Sequence, residues 1–340
     1  MTPKSAALPV PNAIQQKRKR FVVRSVSQAM VTALIGALAL VCIGLYLFLG
    51  LDANAAYVLP RRAYRVFTMV LVAFCVGVST VLFQTVTSNR ILTPSIMGFD
   101  SLFMLIQTVL IFVIGTVGRT QLGTYPLFML ELGLMVLFAA IMYRWLFTGS
   151  GLSLHLVLLI GIVFGTLFRG ISSLLQRLLD PSEFMVLQDS MFASFTGVDL
   201  GLLRISVAII AAATIPLIVM RRRFDVLSLG RDTAISLGIN HTRTVTTVLI
   251  VCSIFVGVCT ALVGPITFFG LIVANLAYAL CRTFRHSWIL PISVLLGIVA
   301  LVGGQLILER VFAFDTALSI VIEFCGGLLF LFLLLRGSIK

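Results

Sequence analysis

Long stretches of this chain carry almost no charge, and that limits its fold more than any other feature. Apolar runs bounded by charged or turn residues occupy 28–50, 65–86, 96–115, 125–147, 153–176, 201–220, 243–263, 266–281, 288–308 and 317–336. A helix needs about 20 apolar residues to cross the hydrocarbon of a bilayer. In lipid, only helices and closed barrels satisfy every backbone N–H and C=O. Of 340 residues, 60% are hydrophobic and 11% are charged, against about 25% charged in an ordinary soluble domain. A soluble enzyme, a disordered chain and a disulfide scaffold are all excluded. The expected fold is all-α: a polytopic membrane protein with about ten transmembrane helices. It forms one domain over 28–340 behind a basic tail over 1–27. The run from about 29 to 50 is too long for a signal-peptide core and is expected to be retained as the first helix. The runs at 96–115, which holds Asp100, and at 266–281, which is short, are the least regular.

The net charge of +13, from 25 Lys+Arg against 12 Asp+Glu, reads as a basic inner face and contact with anionic lipid, not as nucleic-acid binding. With ten spans and a cytoplasmic N-terminus, the inner loops are 87–95, 148–152, 221–242 and 282–287. These loops, their flanks and both tails collect most of the basic residues, including Arg90, Arg221, Arg222, Arg223, Arg231, Arg282 and Arg285. Asp52, Asp180, Glu183, Asp189, Asp199, Glu309 and Asp315 fall outside. Both biases place both termini in the cytoplasm. Lysine occurs only at Lys4, Lys17, Lys19 and Lys340, and no Gly-Lys pair exists. A phosphate-binding P-loop is therefore absent, and any ATP is used by a separate subunit. No cofactor is expected. Cys42, Cys75, Cys252, Cys259, Cys281 and Cys325 lie in or beside apolar runs without a CxxC pair, as packing residues do. His155, His241 and His286 form no ligand set, so no metal site is expected.

The inner loop 221–242 is longer than the other inner loops and unusually apolar. Val226, Leu227, Leu229, Ala234, Ile235 and Leu237 stand among polar residues. Asp225 is placed to cap one short helix that Gly230 ends, and Asp232 to start a second that Gly238 ends. The residues alone leave two readings open: a segment lying on the lipid surface, or a helix pair docked in a partner's groove.

Four segments in order give the chain a resemblance to a known family. They are Leu59-Pro60-Arg61-Arg62 followed by Gln84, Asn89, Pro94 and Gly98; Leu227-Ser228-Leu229-Gly230 with Ala234 and Leu237-Gly238; Val263-Gly264-Pro265-Ile266-Thr267-Phe268-Phe269-Gly270; and Leu308-Glu309-Arg310 with the tail from Gly326 to Arg336. From about residue 55 onward the chain resembles the permease subunits of ABC importers for iron–siderophore complexes and cobalamin. The resemblance implies a type II importer permease of ten helices. It implies four partners: a second permease, identical or related, two cytoplasmic ATPases and an extracytoplasmic substrate-binding protein. The membrane is then the bacterial cytoplasmic (inner) membrane and the substrate a ferric siderophore, moved by alternating access.

The resemblance also assigns roles. Leu227, Leu229, Gly230, Ala234, Leu237 and Gly238 become the ATPase-coupling segment, which selects the docked reading of 221–242. Arg61, Arg62 and Arg310, on the outer face against the positive-inside bias, become docking residues for the binding protein. Gln84, Asn89, Arg169, Pro265 and Phe268 are candidates for the translocation path. The chain departs from the family pattern at Ala274, Asn275 and Tyr278, where Pro, His and Arg are usual, and in the separation of Asn89 from Pro94. These departures lean toward catecholate-type siderophores. Cobalamin and heme remain alternatives.

Several residues carry local expectations. Arg169 lines the path or pairs with Glu131. Asp100 caps its helix or pairs with Arg90. Gly161, Gly165 and Gly170, with Ser172 and Ser173, offer a packing face. The rival class is an ion-coupled secondary transporter, which needs a polar midplane site on repeated halves. No internal repeat or cluster of intramembrane acids is evident in the sequence.

Overall fold

The computed structural model describes residues 27–50, 55–147, 154–281, 283–310 and 318–335. The basic tail over 1–26, the loop at 148–153, Arg282, Asp52, Asp315, Arg336 and Lys340 lie outside the described residues, as does the side chain of His155.

All ten apolar runs are helical. The elements are α1 (Gln28–Phe48), α2 (Ala55–Thr87), α3 (Phe99–Leu122), α4 (Thr124–Phe147), α5 (Leu154–Gln176), α6 (Pro181–Ser190), α7 (Leu200–Leu227), α8 (Arg231–Ser236), α9 (His241–Val263), α10 (Phe269–Leu280), α11 (His286–Ile298), α12 (Gly304–Arg310) and α13 (Leu318–Leu335). A π-helical turn, Val299–Gly303, joins α11 and α12 into one span. Eight of the described helices are long and apolar enough to cross a membrane, and Phe269–Leu280 and Leu318–Phe332 are shorter apolar helices. This is a multi-pass membrane protein.

The spans divide by burial. In α2 and α9, 72% and 67% of the membrane window is buried inside the chain, against 17% in α1 and in α5. Phe83, Phe255, Met69 and Leu249 are fully buried between the central helices. In lipid an apolar side chain gains nothing by leaving the solvent, so association rests on close packing. One close backbone approach joins the turn before α3 to α5. A Cβ added at Gly98 would lie 3.0 Å from the Gly165 Cα, and one at Gly161 would lie 3.1 Å from the Met97 carbonyl oxygen. Gly161 and Gly165 thus form the expected packing face. Gly170 meets nothing within 4 Å and does not belong to it.

The two longest helices outrun the bilayer by the most. At 1.5 Å per residue, α2 is about 50 Å long and α7 about 42 Å, against about 30 Å of hydrocarbon. The helix α2 starts ten residues before the expected boundary, so Leu59-Pro60-Arg61-Arg62 is helical. At the other end, α7 runs on through Arg221–Leu227. The expected separate helix capped by Asp225 does not exist. Asp225 stands inside the last turn of α7, because that turn packs on the chain's own core through Phe224 and Leu227.

Candidate translocation and docking sites

At the inner elbow, α7 ends at Leu227 and α8 follows at Arg231. Gly230 and Gly238 bracket α8 with φ of 96° and 81°. A side chain with a Cβ is strained there, so the glycines let the chain reverse tightly on both sides of one short helix. Leu227 and Ala234 are buried, at 4% and 0% exposure, and seat the elbow on the bundle. Leu229, Ile235 and Leu237 are 60%, 51% and 60% exposed. The apolar residues of 221–242 therefore fall into two groups. Leu227 and Ala234 are spent on this chain's own packing. Leu229 and Leu237 remain available.

At the outer rim the arginines divide in a similar way. The guanidinium of Arg62 donates to the carbonyls of Tyr46, Leu47, Leu49 and Gly50, at 3.3, 3.2, 2.9 and 3.3 Å. Arg310 donates to the Leu49 carbonyl at 2.8 Å. These are the orphan acceptors at the C-terminal end of α1, where the helix dipole is negative. Arg61 is exposed and lies 4.2 Å over the ring of Tyr57. Glu309 does not pair with its neighbour Arg310. It takes Tyr46 at 3.1 Å, Gln305 at 2.7 Å and Arg65 at 3.8 Å.

Between these ends, the chain leaves α2 at Ser88, turns back, and makes a 3-10 turn at Pro94–Met97 before α3. The side chain of Gln84 donates to the Arg90 carbonyl at 2.7 Å, and Asn275 reaches the same oxygen at 3.2 Å. Asn89 closes its own turn by accepting from the Ile91 amide at 2.9 Å. Arg90 stacks on Tyr278 at 4.8 Å, so it does not pair with Asp100. The carboxylate of Asp100 is buried beside Ser95 and Thr267. A narrow cavity separates this segment from the break between α9 and α10. It is lined by Thr80, Thr93, Ser95, Thr260 and Thr267 together with apolar residues such as Val76 and Val256. Pro265 is buried at that break, and Phe268 packs on Phe330 with ring centroids 6.2 Å apart.

Arg169 does not meet Glu131. It is exposed and donates to the Gly165 carbonyl at 3.3 Å, while Glu131 is buried and accepts from Gln107 at 2.7 Å. The path candidates thus do not form one cluster: Gln84 and Asn89 hold the returning segment, Pro265 and Phe268 shape the α9–α10 break, and Arg169 stands on the outside of α5.

Sequence reading missed one constellation. The Asp225 Oδ1 accepts from both the backbone N–H and the ring Nδ1 of His286, each at 2.8 Å, and the His286 Nε2 lies 2.7 Å from the Thr85 hydroxyl. His286 lies 61 positions after Asp225 and 201 after Thr85, so spacing cannot associate the three. The only signal was an acid on the apolar elbow and a histidine opening an apolar run.

The comparisons agree with this architecture. A profile described as the FecCD transport family matches residues 46–336. The petrobactin import system permease protein YclO of Bacillus subtilis (strain 168) is 48% identical over 91% of this chain and 98% of its own length. The petrobactin import system permease protein FatC of Bacillus anthracis is 34% identical over 82% of this chain and 79% of its own. A solved structure of an inward-facing metal-chelate type ABC transporter superposes with a TM-score of 0.78 at 22% identity, covering 91% of this chain and 100% of that one.

Proposed function

This chain belongs to the FecCD transport family, the permease subunits of ABC importers for iron–siderophore complexes and cobalamin, and on that premise we propose that it carries a ferric siderophore of the petrobactin kind. The observation that carries the substrate is the 48% identity to a petrobactin permease along nearly the whole of both chains. Family membership displaces the ion-coupled transporter as a reading.

The importer works by alternating access in the cytoplasmic membrane of a bacterium, with both termini inside. A second permease completes the channel. Two ATPases bind the inner face and hydrolyse ATP, and this chain does no covalent chemistry. Leu229, Ile235 and Leu237 supply what such docking requires, an exposed apolar face on a short helix held by its own buried residues. A binding protein delivers the chelate at the outer rim, where Arg61 is exposed and Arg310 partly committed. Charges at such a rim mainly steer encounter and fix register.

The test is uptake by the permease reconstituted with its ATPase and binding protein in proteoliposomes. Ferric petrobactin is expected to be taken up with ATP, and cobalamin not. Uptake of cobalamin in preference, or uptake driven by a proton gradient without ATP, overturns the reading.

A further inference from the structure

We infer that Asp225, His286 and Thr85 form a strut that carries movement of the inner elbow to the returning segment after α2. The inference rests on the proposed docking of an ATPase at that elbow.

Asp225 stands two residues before Leu227, the residue that ends α7, and four before the exposed Leu229. Displacement of the elbow therefore displaces this carboxylate directly. One carboxylate oxygen holds both the first backbone N–H of α11 and the ring of His286. This caps α11 from a different helix, where negative charge meets the positive end of the dipole. The ring of His286 is 4% exposed and passes through the protein to α2. With Nδ1 protonated toward Asp225, Nε2 accepts. The single Thr85 proton is then shared between Nε2 at 2.7 Å and the Val81 carbonyl at 2.9 Å. The bonds to the charged acceptor are short, and the His286 end of the pair is closed to water although the Asp225 side chain is 44% exposed, so the link resists separation. The three helix ends thus move together.

The far end of the strut is placed to act. Thr85 lies in the last turn of α2, and the chain beyond it climbs back to the cavity through Thr93 and Ser95. Tyr278 of α10 lies under Arg90 of that returning segment. Gln84, next to Thr85, holds the Arg90 carbonyl. A push on α7 therefore reaches the cavity lining through paired polar groups. A link serving only stability would need no connection from α2 onward to the returning segment.

The experiment uses the complete reconstituted importer with ferric petrobactin and reads substrate moved per ATP hydrolysed, together with thermal stability. Thr85→Val keeps the shape and removes the hydroxyl, and Thr85→Ser restores it. Asp225→Ala cuts the other end. Thr85→Val and Asp225→Ala are expected to lower transport per ATP at least fivefold, with the ATPase still bound and its turnover within about twofold. Thr85→Ser is expected to stay near the parent. An unchanged ratio in both cutting variants, with or without lower stability, overturns the strut, as does a Thr85→Ser variant that fails as badly as Thr85→Val. Leu237→Asp in the same preparation separates the two ideas. If it keeps the ATPase, the docking reading falls and the strut with it. If it loses the ATPase while the cutting variants keep their ratio, only the strut falls.

Discussion

The two ends of the bundle treat their conspicuous residues in opposite chemical terms but by the same division. At the outer rim the conspicuous residues are arginines, and Arg62 and the exposed Arg310 both hold the carbonyl end of α1. Arg61 is left outside. At the inner elbow they are apolar, and Leu227 and Ala234 are turned inward while Leu229 and Leu237 stay outside. A short motif is thus not one functional unit. Part of it builds the platform, and the remainder is what the platform displays.

The largest effect that tests this division is loss of assembly. Leu229→Asp and Leu237→Asp should each abolish co-purification of the ATPase, at least tenfold below the parent, while the permease itself is recovered in normal yield. Retention of the ATPase would break the comparison at the inner end. Leu227→Ala should instead act on the permease alone. It opens a cavity under the elbow and should cost about 2–5 kcal/mol, read as a lower melting temperature in detergent. Next is Arg62→Ala, which strips donors from the end of α1. About 1–2 kcal/mol of stability should go, with affinity for the binding protein unchanged. Weaker binding without loss of stability would reverse the roles of Arg61 and Arg62. The smallest effect is Arg61→Glu. It should raise the Kd for the binding protein several-fold at low salt, and the difference should shrink as ionic strength rises. Stability should not move.

Much of the fold was legible because the membrane enforces it. Every expected run is a helix, and the shortness of the run at 266–281 marked α10. The helix ends were less legible. Leu59-Pro60-Arg61-Arg62 fell before the expected run at 65–86 because the charged pair interrupts the apolar pattern, yet α2 already begins at Ala55 and includes it. Asp225 looked like a cap because an acid before apolar residues is a common helix start. It is a cap, but of α11, a partner reached only through the fold. Arg169 and Glu131 seemed a natural ion pair, since isolated intramembrane charges seek partners. Instead Arg169 donates to the Gly165 carbonyl of its own helix, and Glu131 accepts from Gln107 of α3.

By itself the sequence determined the helical class, the approximate spans and the family. The first two follow from how few backbone arrangements lipid permits, and the third from motifs kept in order. Which motif residues stay exposed was decided only in three dimensions. Exposure depends on what packs against a side chain, and that packing partner lies far away in the chain. The joining of Asp225, His286 and Thr85 was settled there too. Three helix ends must first be assembled before one oxygen can hold two donors and one ring can bridge to a third helix.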